Sequence, residues 1–365
     1  MMNIYYSKLW RENLDTVIQT LPELCELEGK SVLITGATGL ICSSIVDLLI
    51  RYNETHESKI TILAAGRSEA KMKERFFSYC NDTYFNFIPY DAASFTFDIE
   101  QKADFIIHGA SNASPSKIVK EPVETMMCNF TGMLALLNYA KEHEAEKVLY
   151  ISSSEVYGKK ENNSPFAENE YGCIDLLNSR NSYSISKCAA ETLCVSYAEE
   201  YDVNVLTVRP GHIYGPTASR TDNRVSSSWV YDVVEGKDII MKSSGLQIRS
   251  YVYCLDCASA IIKVLLRGEN KKSYNISNPN SILSIKEMAE ILCEAANVEL
   301  KMELPTEEER KGFNPMSNSS LVSSSLQSLG WRGCFDAKVG FTNTVNIIKE
   351  CFWSQCAENF LGQTP

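Results

Sequence analysis

Short apolar runs alternate with segments of helical periodicity along most of the chain. Six runs rich in β-branched and aromatic residues predict strands, at 31–35, 59–65, 84–90, 103–108, 147–152 and 204–209. Segments between them with apolar residues at helical spacing predict helices, at 45–50, 70–79, 122–143 and 184–201. Strands that alternate with helices predict an α/β fold, a doubly wound parallel sheet covered on both faces.

The N-terminal segment lies outside this alternation. Leu9, Leu14 and Val17 recur at helical spacing, and Pro22 interrupts the pattern. We therefore predict that residues 1–29 form an N-terminal helical arm.

After about residue 210 the predicted strands and helices no longer alternate regularly. We expect a dinucleotide-binding domain of the Rossmann type over 30–210. Helical patterns at 225–235 and 285–296, with short strands between them, predict a smaller C-terminal substrate-binding lobe over 211–365. This lobe is expected to interleave with the main sheet, with about 250–268 returning to the Rossmann domain.

The composition is that of a globular protein, with 44% hydrophobic and 22% charged residues. Since 35 basic residues stand against 46 acidic ones, the net charge of −11 argues against a nucleic-acid or anionic-membrane surface. No apolar run approaches the ~18 residues of a membrane span, and the first residues carry no apolar signal region. We therefore predict a cytoplasmic protein without a nucleic-acid or membrane partner.

The 13 cysteines are scattered through predicted strands and helices. In a chain without an export signal they indicate reduced, mostly buried thiols. Cys254 and Cys257 form one C-x-x-C, but a zinc site of this kind needs a second ligand pair, and we find none in the sequence. No metal is predicted.

A glycine turn follows the first predicted strand directly. In the dinucleotide-binding fingerprint, one glycine permits the tight turn and the next lets the backbone approach a pyrophosphate at the helix N-terminus. Cys42 stands where a third, packing glycine is expected. The turn residues predicted to contact the cofactor are Gly36, Thr38, Gly39, Leu40 and Ile41.

The end of the second strand bears on the choice of cofactor. An acidic residue there would bind the ribose hydroxyls of NAD, but this strand is followed by Arg67 and Ser68. Arg67 favours NADP, or it stacks on adenine and serves NAD equally well. Asp91, just past the third strand, is a candidate adenine contact. NAD is the predicted cofactor, with NADP as the alternative.

Two motifs carry the candidate chemistry. Tyr183 and Lys187 are spaced Y-x-x-x-K and share a helix face, so that the ammonium is expected to lower the pKa of the phenol. Ser153, Ser154 and Glu155 end the fifth strand, where doubly wound sheets place active sites. The alternative is a serine-rich turn capped by Glu155, but the two motifs in this order on this fold favour catalysis.

With these motifs the chain resembles the extended short-chain dehydrogenases/reductases that act on nucleotide sugars. The resemblance starts at about Lys30 and rests also on Arg209-Pro210, on the Tyr214-Gly215-Pro216 turn and on Arg249 to Tyr253. One branch is especially similar, the UDP-glucuronate decarboxylases, through the segment His108 to Pro115 and the Ser-Ser-Glu form of the strand-five motif.

The resemblance implies a role for each residue of the two motifs. Tyr183 is the base that takes the proton of the sugar C4 hydroxyl, and Lys187 tunes it and binds ribose. Ser153 hydrogen-bonds the C4 oxygen. Ser154 and Glu155 face C5 and C6, where the branches of the family differ.

The resemblance implies further contacts outside these motifs. Ala110 is expected at the cofactor, and Ser111 and Asn129 at the substrate. The guanidinium of Arg249 is expected to pair with the substrate diphosphate. His212 stands where many relatives carry an asparagine that touches the substrate, and its role stays open.

Several reactions follow from oxidation at C4. In the leading interpretation UDP-glucuronate loses carbon dioxide and becomes UDP-xylose, because a ketone β to a carboxylate accepts the electrons. The alternatives are a 4,6-dehydratase, of the GDP-mannose or dTDP-glucose type, and a 4-epimerase. A non-catalytic NAD(P)-binding protein is disfavoured because Tyr183 and Lys187 are both present.

The resemblance also implies a homodimer. Related enzymes pair through two long helices, here predicted at about 122–143 and 184–201. Met126, Met133, Leu137 and Ala140 are candidates for that interface, with packing on their own sheet as the alternative.

Overall fold

The computed structural model describes residues 4–306 and 316–361, which form an α/β structure. Its strands are β1 (Ser31–Thr35), β2 (Thr61–Gly66), β3 (Phe85–Pro89), β4 (Phe105–His108), β5 (Lys147–Ile151), β6 (Val205–Pro210), β7 (His212–Tyr214), β8 (Ile239–Met241), β9 (Ile248–Tyr253), β10 (Lys272–Ile276), β11 (Ile282–Ser284) and β12 (Leu300–Met302). Its α-helices are α1 (Lys8–Gln19), α2 (Leu40–His56), α3 (Glu69–Arg75), α4 (Pro115–Lys120), α5 (Pro122–Glu142), α6 (Ser182–Tyr201), α7 (Val225–Val234), α8 (Cys254–Arg267), α9 (Ile285–Ala296), α10 (Ser324–Ser328) and α11 (Ala337–Leu361).

Seven parallel strands form the central sheet, in the order β3-β2-β1-β4-β5-β6-β10. In the register of the sheet, Thr35 at the end of β1 lies between Ala65 and His108, so the carboxyl ends of the central strands meet at one edge. The six predicted strands are all present, with ends shifted by at most two residues. The predicted doubly wound α/β fold is therefore confirmed.

The two long helices α5 and α6 pack along each other beside the sheet. Met133, Leu137 and Ala140 recur at helical spacing and are buried in the core of their own subunit, whereas Met126 is 40% exposed. Their assignment to a subunit interface is therefore wrong for the first three, because their face of α5 covers the sheet.

The N-terminal arm packs on the outside of the central layer. Ser7 begins α1 by accepting a hydrogen bond from the backbone N of Trp10 at 3.1 Å. Trp10, Leu14 and Val17 are fully buried, and α1 contacts α2, α8 and α11. The apolar stripe seen in the sequence is therefore the face by which the arm docks.

The C-terminal half contributes to both the central sheet and two smaller ones. Strand β10 joins the central sheet, and α8 packs against α2. Strands β7, β9 and β11 form a second sheet, and β8 pairs with β12. Asp256 of α8 accepts hydrogen bonds from the backbone N of Cys334 (2.7 Å) and Phe335 (3.1 Å), which ties the C-terminal segment to this helix.

Two general features of the described ranges bear on function. None of their helices has both the length and the apolar character that crossing a membrane requires. Nor do three or more His, Cys, Asp or Glu side chains within them gather as a metal site would require.

Candidate active site

The glycine turn between β1 and α2 forms a cradle at the carboxyl edge of the sheet. Gly36 has a φ of +68°, and a Cβ there would lie 2.9 Å from the backbone of Ala110. Gly39 is the N-cap of α2, whose first residues are Leu40 and Ile41. Since the first N–H groups of a helix lack partners within it, this terminus suits an anion such as a pyrophosphate.

Cys42 occupies the position of the missing third glycine without disturbing the turn. Its side chain is buried, and a Cβ added to Gly109 would lie 2.3 Å from its Sγ. Gly109, on the loop after β4, therefore provides the space that the fingerprint glycine otherwise provides. The close helix–strand approach is kept by a glycine on the opposite side of the contact.

The candidate adenine end of the groove carries exposed charges. Arg67 and Asp91 both lie on the surface after their strands, and Ser68 caps α3 by accepting from the backbone N of Lys71. Burial raises the pKa of the Cys128 thiol, and the charges of Lys187 and Arg67 oppose that rise. The thiol of Cys128, on α5, is therefore close enough to both side chains for their charges to act on it.

The structure brings Tyr183 and Ser153 together as the motifs predict. Both lie at the carboxyl edge of the sheet, and their hydroxyl groups are hydrogen-bonded. Burial and the charge of Glu155 raise the pKa of Tyr183 to about 12, while the bond from Ser153 and the charges of Arg224 and Arg180 act in the opposite direction. The pKa of Tyr183 in the free protein is therefore raised and not lowered, because burial and Glu155 outweigh the groups that act in the opposite direction.

Lys187 lies one helical turn below Tyr183 and is itself buried. Its Nζ donates to the backbone O of Ile151 at 2.8 Å and lies 5.8 Å from the centre of the Tyr183 ring. Burial lowers the pKa of Lys187 to about 8. The ammonium is thus held beneath the phenol by the end of β5.

Glu155 lies in a short 3-10 helix, Ser154–Tyr157, which follows β5 directly. Ser153 caps that helix by accepting from the backbone N of Glu155 at 3.1 Å. The Glu155 carboxylate accepts from Ser184 Oγ at 3.2 Å and lies 3.4 Å from Arg180 Nη1. An acidic, partly open group therefore stands beside the buried phenol.

Ser111 and Asn129 meet, although they come from different elements. Ser111 Oγ donates to Asn129 Oδ1 at 2.7 Å, and Asn129 Nδ2 donates to Ser186 Oγ at 2.9 Å. Asn129 is buried between α5 and α6, whereas Ser111 is half-buried. Ser111 is therefore the member of this chain of hydrogen bonds that is accessible to a ligand.

Three basic side chains of the C-terminal half lie near one another. His212 is near Arg249 and Arg224, whose charges add to burial in lowering the pKa of His212 to about 3, so that its imidazole is neutral. Arg249 donates to the backbone O of Ile248 at 2.8 Å and of Met316 at 3.1 Å. Arg224 also lowers the pKa of Tyr183, so it links this cluster to the phenol.

Sequence reasoning missed Arg224 and Arg180. Both lie in segments without regular periodicity, Arg224 directly before α7 and Arg180 in the 3-10 helix Ser179–Asn181 that precedes α6. A basic residue in such a loop is usually a solvated charge, so the sequence offers no signal that separates these two from the others.

The chain matches a known protein family. Residues 32–277 match the model of the NAD dependent epimerase/dehydratase family. UDP-glucuronic acid decarboxylase 3 of Arabidopsis thaliana is 29% identical over 323 residues, which cover 88% of each chain.

Two solved structures share the fold. UDP-glucose 4-epimerase from Thermotoga maritima aligns with a TM-score of 0.74 at 20% identity, over 88% of this chain and 99% of the epimerase. dTDP-glucose 4,6-dehydratase from Bacillus anthracis, in complex with NAD, aligns with a TM-score of 0.72 at 19% identity, over 88% and 97%. The protein described here belongs to the NAD dependent epimerase/dehydratase family, which confirms the predicted enzyme class and its cofactor, NAD.

Proposed function

We propose that the protein acts on a nucleotide sugar and converts UDP-glucuronate to UDP-xylose and carbon dioxide. The observation that carries the proposal is the grouping of Tyr183, Ser153 and the Glu155–Arg180 pair at the carboxyl edge of the sheet. The name of the Arabidopsis relative, a UDP-glucuronic acid decarboxylase, supports this choice of substrate.

The cofactor is held along the edge of the sheet. The turn from Gly36 to Ile41 takes the pyrophosphate, Arg67 and Asp91 take the adenosine end, and Lys187 binds the ribose beside Tyr183. Bound NAD would supply a reversible hydride acceptor for C4, and the positive charge of its oxidised ring would favour phenolate at Tyr183.

The diphosphate of the substrate lies at the basic cluster. Arg249 and Arg224 offer guanidinium groups to the phosphate oxygens, and His212, being neutral, offers a hydrogen bond instead of a charge. Ser111, hydrogen-bonded to Asn129, offers a further hydroxyl group to the substrate. These contacts orient the sugar so that its C4 faces Tyr183.

Tyr183 takes the proton of the C4 hydroxyl, and Ser153 hydrogen-bonds the same oxygen. The resulting ketone lies β to the C6 carboxylate, so the C5–C6 bond breaks, its electron pair moves toward the ketone, and carbon dioxide leaves. A proton then replaces the carboxylate at C5. Glu155, whose side chain is 43% exposed, relays that proton from solvent.

The position of Glu155 favours a second candidate, 4,6-dehydration. After oxidation at C4, a carboxylate beside C5 removes the C5 proton, and water leaves from C6. The solved dTDP-glucose 4,6-dehydratase shares the fold. The group that the substrate carries at C6, a carboxylate or a hydroxyl, decides between the two reactions.

The test is incubation of the purified protein with UDP-glucuronate, with and without added NAD, and mass spectrometry for carbon dioxide and a UDP-pentose. A Tyr183→Phe variant should lose at least about 10²-fold in rate, the usual size of a general-base contribution. Tyr201→Phe, at the exposed end of the same helix, should keep full activity. If neither condition gives a UDP-pentose, this function is wrong, and dTDP-glucose, GDP-mannose and UDP-N-acetylglucosamine are tested for dehydration or epimerisation.

A homodimer through the outer faces of α5 and α6 completes the proposal. Val123, Met127 and Phe130 of α5 and Val195 of α6 are exposed apolar side chains. An apolar face of this kind is typical of a subunit interface. A Phe130→Glu variant should sediment as a monomer while the parent protein sediments as a dimer; a parent monomer would contradict the assignment.

A further inference from the structure

Arg209 is a buried charge close to the candidate catalytic groups that the chemistry at C4 does not use. It lies near the carboxyl end of β6, and its side chain is 3% exposed. Strand β6 pairs with β5, and the backbone N of Ser152 donates to the backbone O of Val208 at 2.8 Å. Arg209 therefore leaves β6 beside the point at which β5 leads into Ser153.

Every N–H group of this guanidinium has a partner. Nε and Nη2 donate to the two carboxylate oxygens of Glu191, at 3.0 and 2.5 Å. Nη1 donates to the hydroxyl of Tyr157 at 3.0 Å and to the backbone O of Glu168 at 2.9 Å, and Nη2 also donates to the hydroxyl of Tyr171 at 3.1 Å. A guanidinium has five N–H donors, so all of them are used within the protein.

One partner, Glu191, belongs to the helix of the candidate base. On α6 it follows Lys187 by four residues and Tyr183 by eight, so the three side chains share one stripe of the helix. Burial lowers the pKa of Lys187, and the charge of Glu191 acts in the opposite direction. Arg209 therefore fixes a carboxylate that lies within electrostatic reach of Lys187.

Another partner, Tyr157, belongs to the segment that follows β5. It ends the short 3-10 helix that Ser153 caps. Its ring is fully buried, and its hydroxyl donates to Asn275 Oδ1 at 2.6 Å while it accepts from Arg209. The far end of the 3-10 helix is therefore fixed through this hydroxyl group.

We propose that Arg209 is a positioning residue that keeps Ser153 in register with Tyr183, an inference that rests on the proposed oxidation at C4. A guanidinium is planar and rigid, so its bonds to Glu191 and Tyr157 define the distance between α6 and the 3-10 helix. A base acts only within about 2.6–3.2 Å of its proton donor, and a displacement of about 1 Å can cost about 10²-fold in rate. Loosening the link slows the chemical step and leaves substrate binding in place.

Two tyrosine variants test the link, since each removes one hydroxyl from the same guanidinium. Tyr157→Phe removes the bond to the 3-10 helix. Tyr171→Phe is the matched control, because Tyr171 is 64% exposed and lies in a loop that carries none of the candidate catalytic groups. With UDP-glucuronate and NAD, Tyr157→Phe should lower kcat by about tenfold and leave KM within about twofold. Tyr171→Phe should leave both within about twofold.

The pH–rate profile separates positioning from support of the fold. Burial and Glu155 raise the pKa of Tyr183, and the bond from Ser153 lowers it. Tyr157→Phe weakens that bond and should therefore move the acidic limb to higher pH, whereas Tyr171→Phe should leave the limb in place. Equal losses of kcat in both variants, or a loss in Tyr157→Phe without a shift of the limb, would show that the inference is wrong.

Arg209→Lys provides a third comparison, since it keeps a charge for Glu191 without the fork that reaches Tyr157. Its kcat should fall at least as far as that of Tyr157→Phe, and full activity would overturn the inference. If the parent protein leaves UDP-glucuronate unchanged, the proposed decarboxylation fails instead. The variants are then compared on whichever of dTDP-glucose, GDP-mannose and UDP-N-acetylglucosamine the parent protein converts.

Discussion

Two carboxylate–guanidinium pairs in this molecule differ in almost every physical respect. Asp47 and Arg75 are 0% and 2% exposed and meet at 2.7 Å. Glu155 and Arg180 are 43% and 39% exposed and meet at 3.4 Å. The first pair lies beneath the N-terminal arm, and the second lies at the edge of the sheet where the active site is proposed.

The buried pair is fully engaged. Asp47 accepts from both terminal nitrogens of Arg75, at 3.2 and 2.7 Å, from Trp10 Nε1 at 3.0 Å and from the hydroxyl of Tyr79. Four hydrogen bonds occupy the capacity of a carboxylate. The cluster joins α1, α2 and α3, and the Asp47 carboxylate has no hydrogen-bonding capacity left for a ligand.

The contrast separates a structural charge pair from one suited to binding. A buried pair must be completely satisfied, because an unpaired charge in the interior is strongly destabilising. An exposed pair contributes little to stability, so its residues can change partners at low cost. Glu155 and Arg180 meet this second condition.

The largest expected effect is on stability, at the buried pair. Asp47→Ala leaves the Arg75 guanidinium without its partner and should lower the free energy of unfolding by about 3–5 kcal/mol, measured by urea denaturation. Asp15→Asn, at the more exposed Arg51–Asp15 pair of the same arm, is the control and should lose about 1 kcal/mol or less. A loss of similar size in both variants would contradict a difference in stabilisation between buried and exposed pairs.

Glu155→Gln should show the opposite balance. Its stability should stay within about 1 kcal/mol of the parent protein. Its decarboxylation rate should fall by about 10²-fold, because the proton relay to C5 is lost. Since the charge of Glu155 raises the pKa of Tyr183, its removal should move the acidic limb of the pH–rate profile to lower pH. Arg180→Gln should move that limb to higher pH, and a shift in the same direction for both would contradict the geometry.

The difference between the two pairs also explains what the sequence could and could not predict. The strands, the glycine turn and the Y-x-x-x-K helix are local patterns, so their positions follow from periodicity and spacing. Asp47 sits inside the apolar run 45–50, and its partners Trp10 and Arg75 lie 37 and 28 residues away. No local sequence pattern predicts such a cluster.

The same limit applies within the candidate site. Spacing predicts that Tyr183 and Lys187 share a helix face, and they do. It cannot predict that burial raises the pKa of Tyr183 against the influence of nearby positive charges. The charges of Arg224 and Arg180 act on the phenol from segments outside the α-helices. Neither spacing nor composition distinguishes these two residues from the other basic residues there.

Lys187 is buried like the Asp47–Arg75 pair. A substitution at Lys187 should nevertheless change the free energy of unfolding by less than Asp47→Ala does. Its ammonium bonds a backbone carbonyl rather than a carboxylate, and burial lowers its pKa to about 8. Below that pH the folded protein must bury the charge, whereas between about pH 8 and 10.5 the unfolded chain binds more protons and stability rises with pH. Lys187→Met should therefore stabilise the cofactor-free protein at pH 7 by about 1–2 kcal/mol.

That gain should shrink as the pH approaches 10, and the variant should be inactive. Thermal unfolding of both proteins at pH 7 and pH 10 provides the measurement. A Lys187→Met protein that is less stable at pH 7 would mean that the ammonium is stabilised by partners other than the Ile151 carbonyl.

The smallest expected effect is at Ser184, whose side chain also contacts the Glu155 carboxylate. Ser184 Oγ donates to the Glu155 carboxylate at 3.2 Å. Because Arg180 remains, Ser184→Ala should reduce the decarboxylation rate by only about 2- to 10-fold, the equivalent of one hydrogen bond of about 0.5–1.5 kcal/mol. Combined with Arg180→Gln, it should cost more than the two separate losses predict, since Glu155 then lacks both contacts. Simple additivity in that double-mutant cycle would show that the two side chains do not act through the same carboxylate.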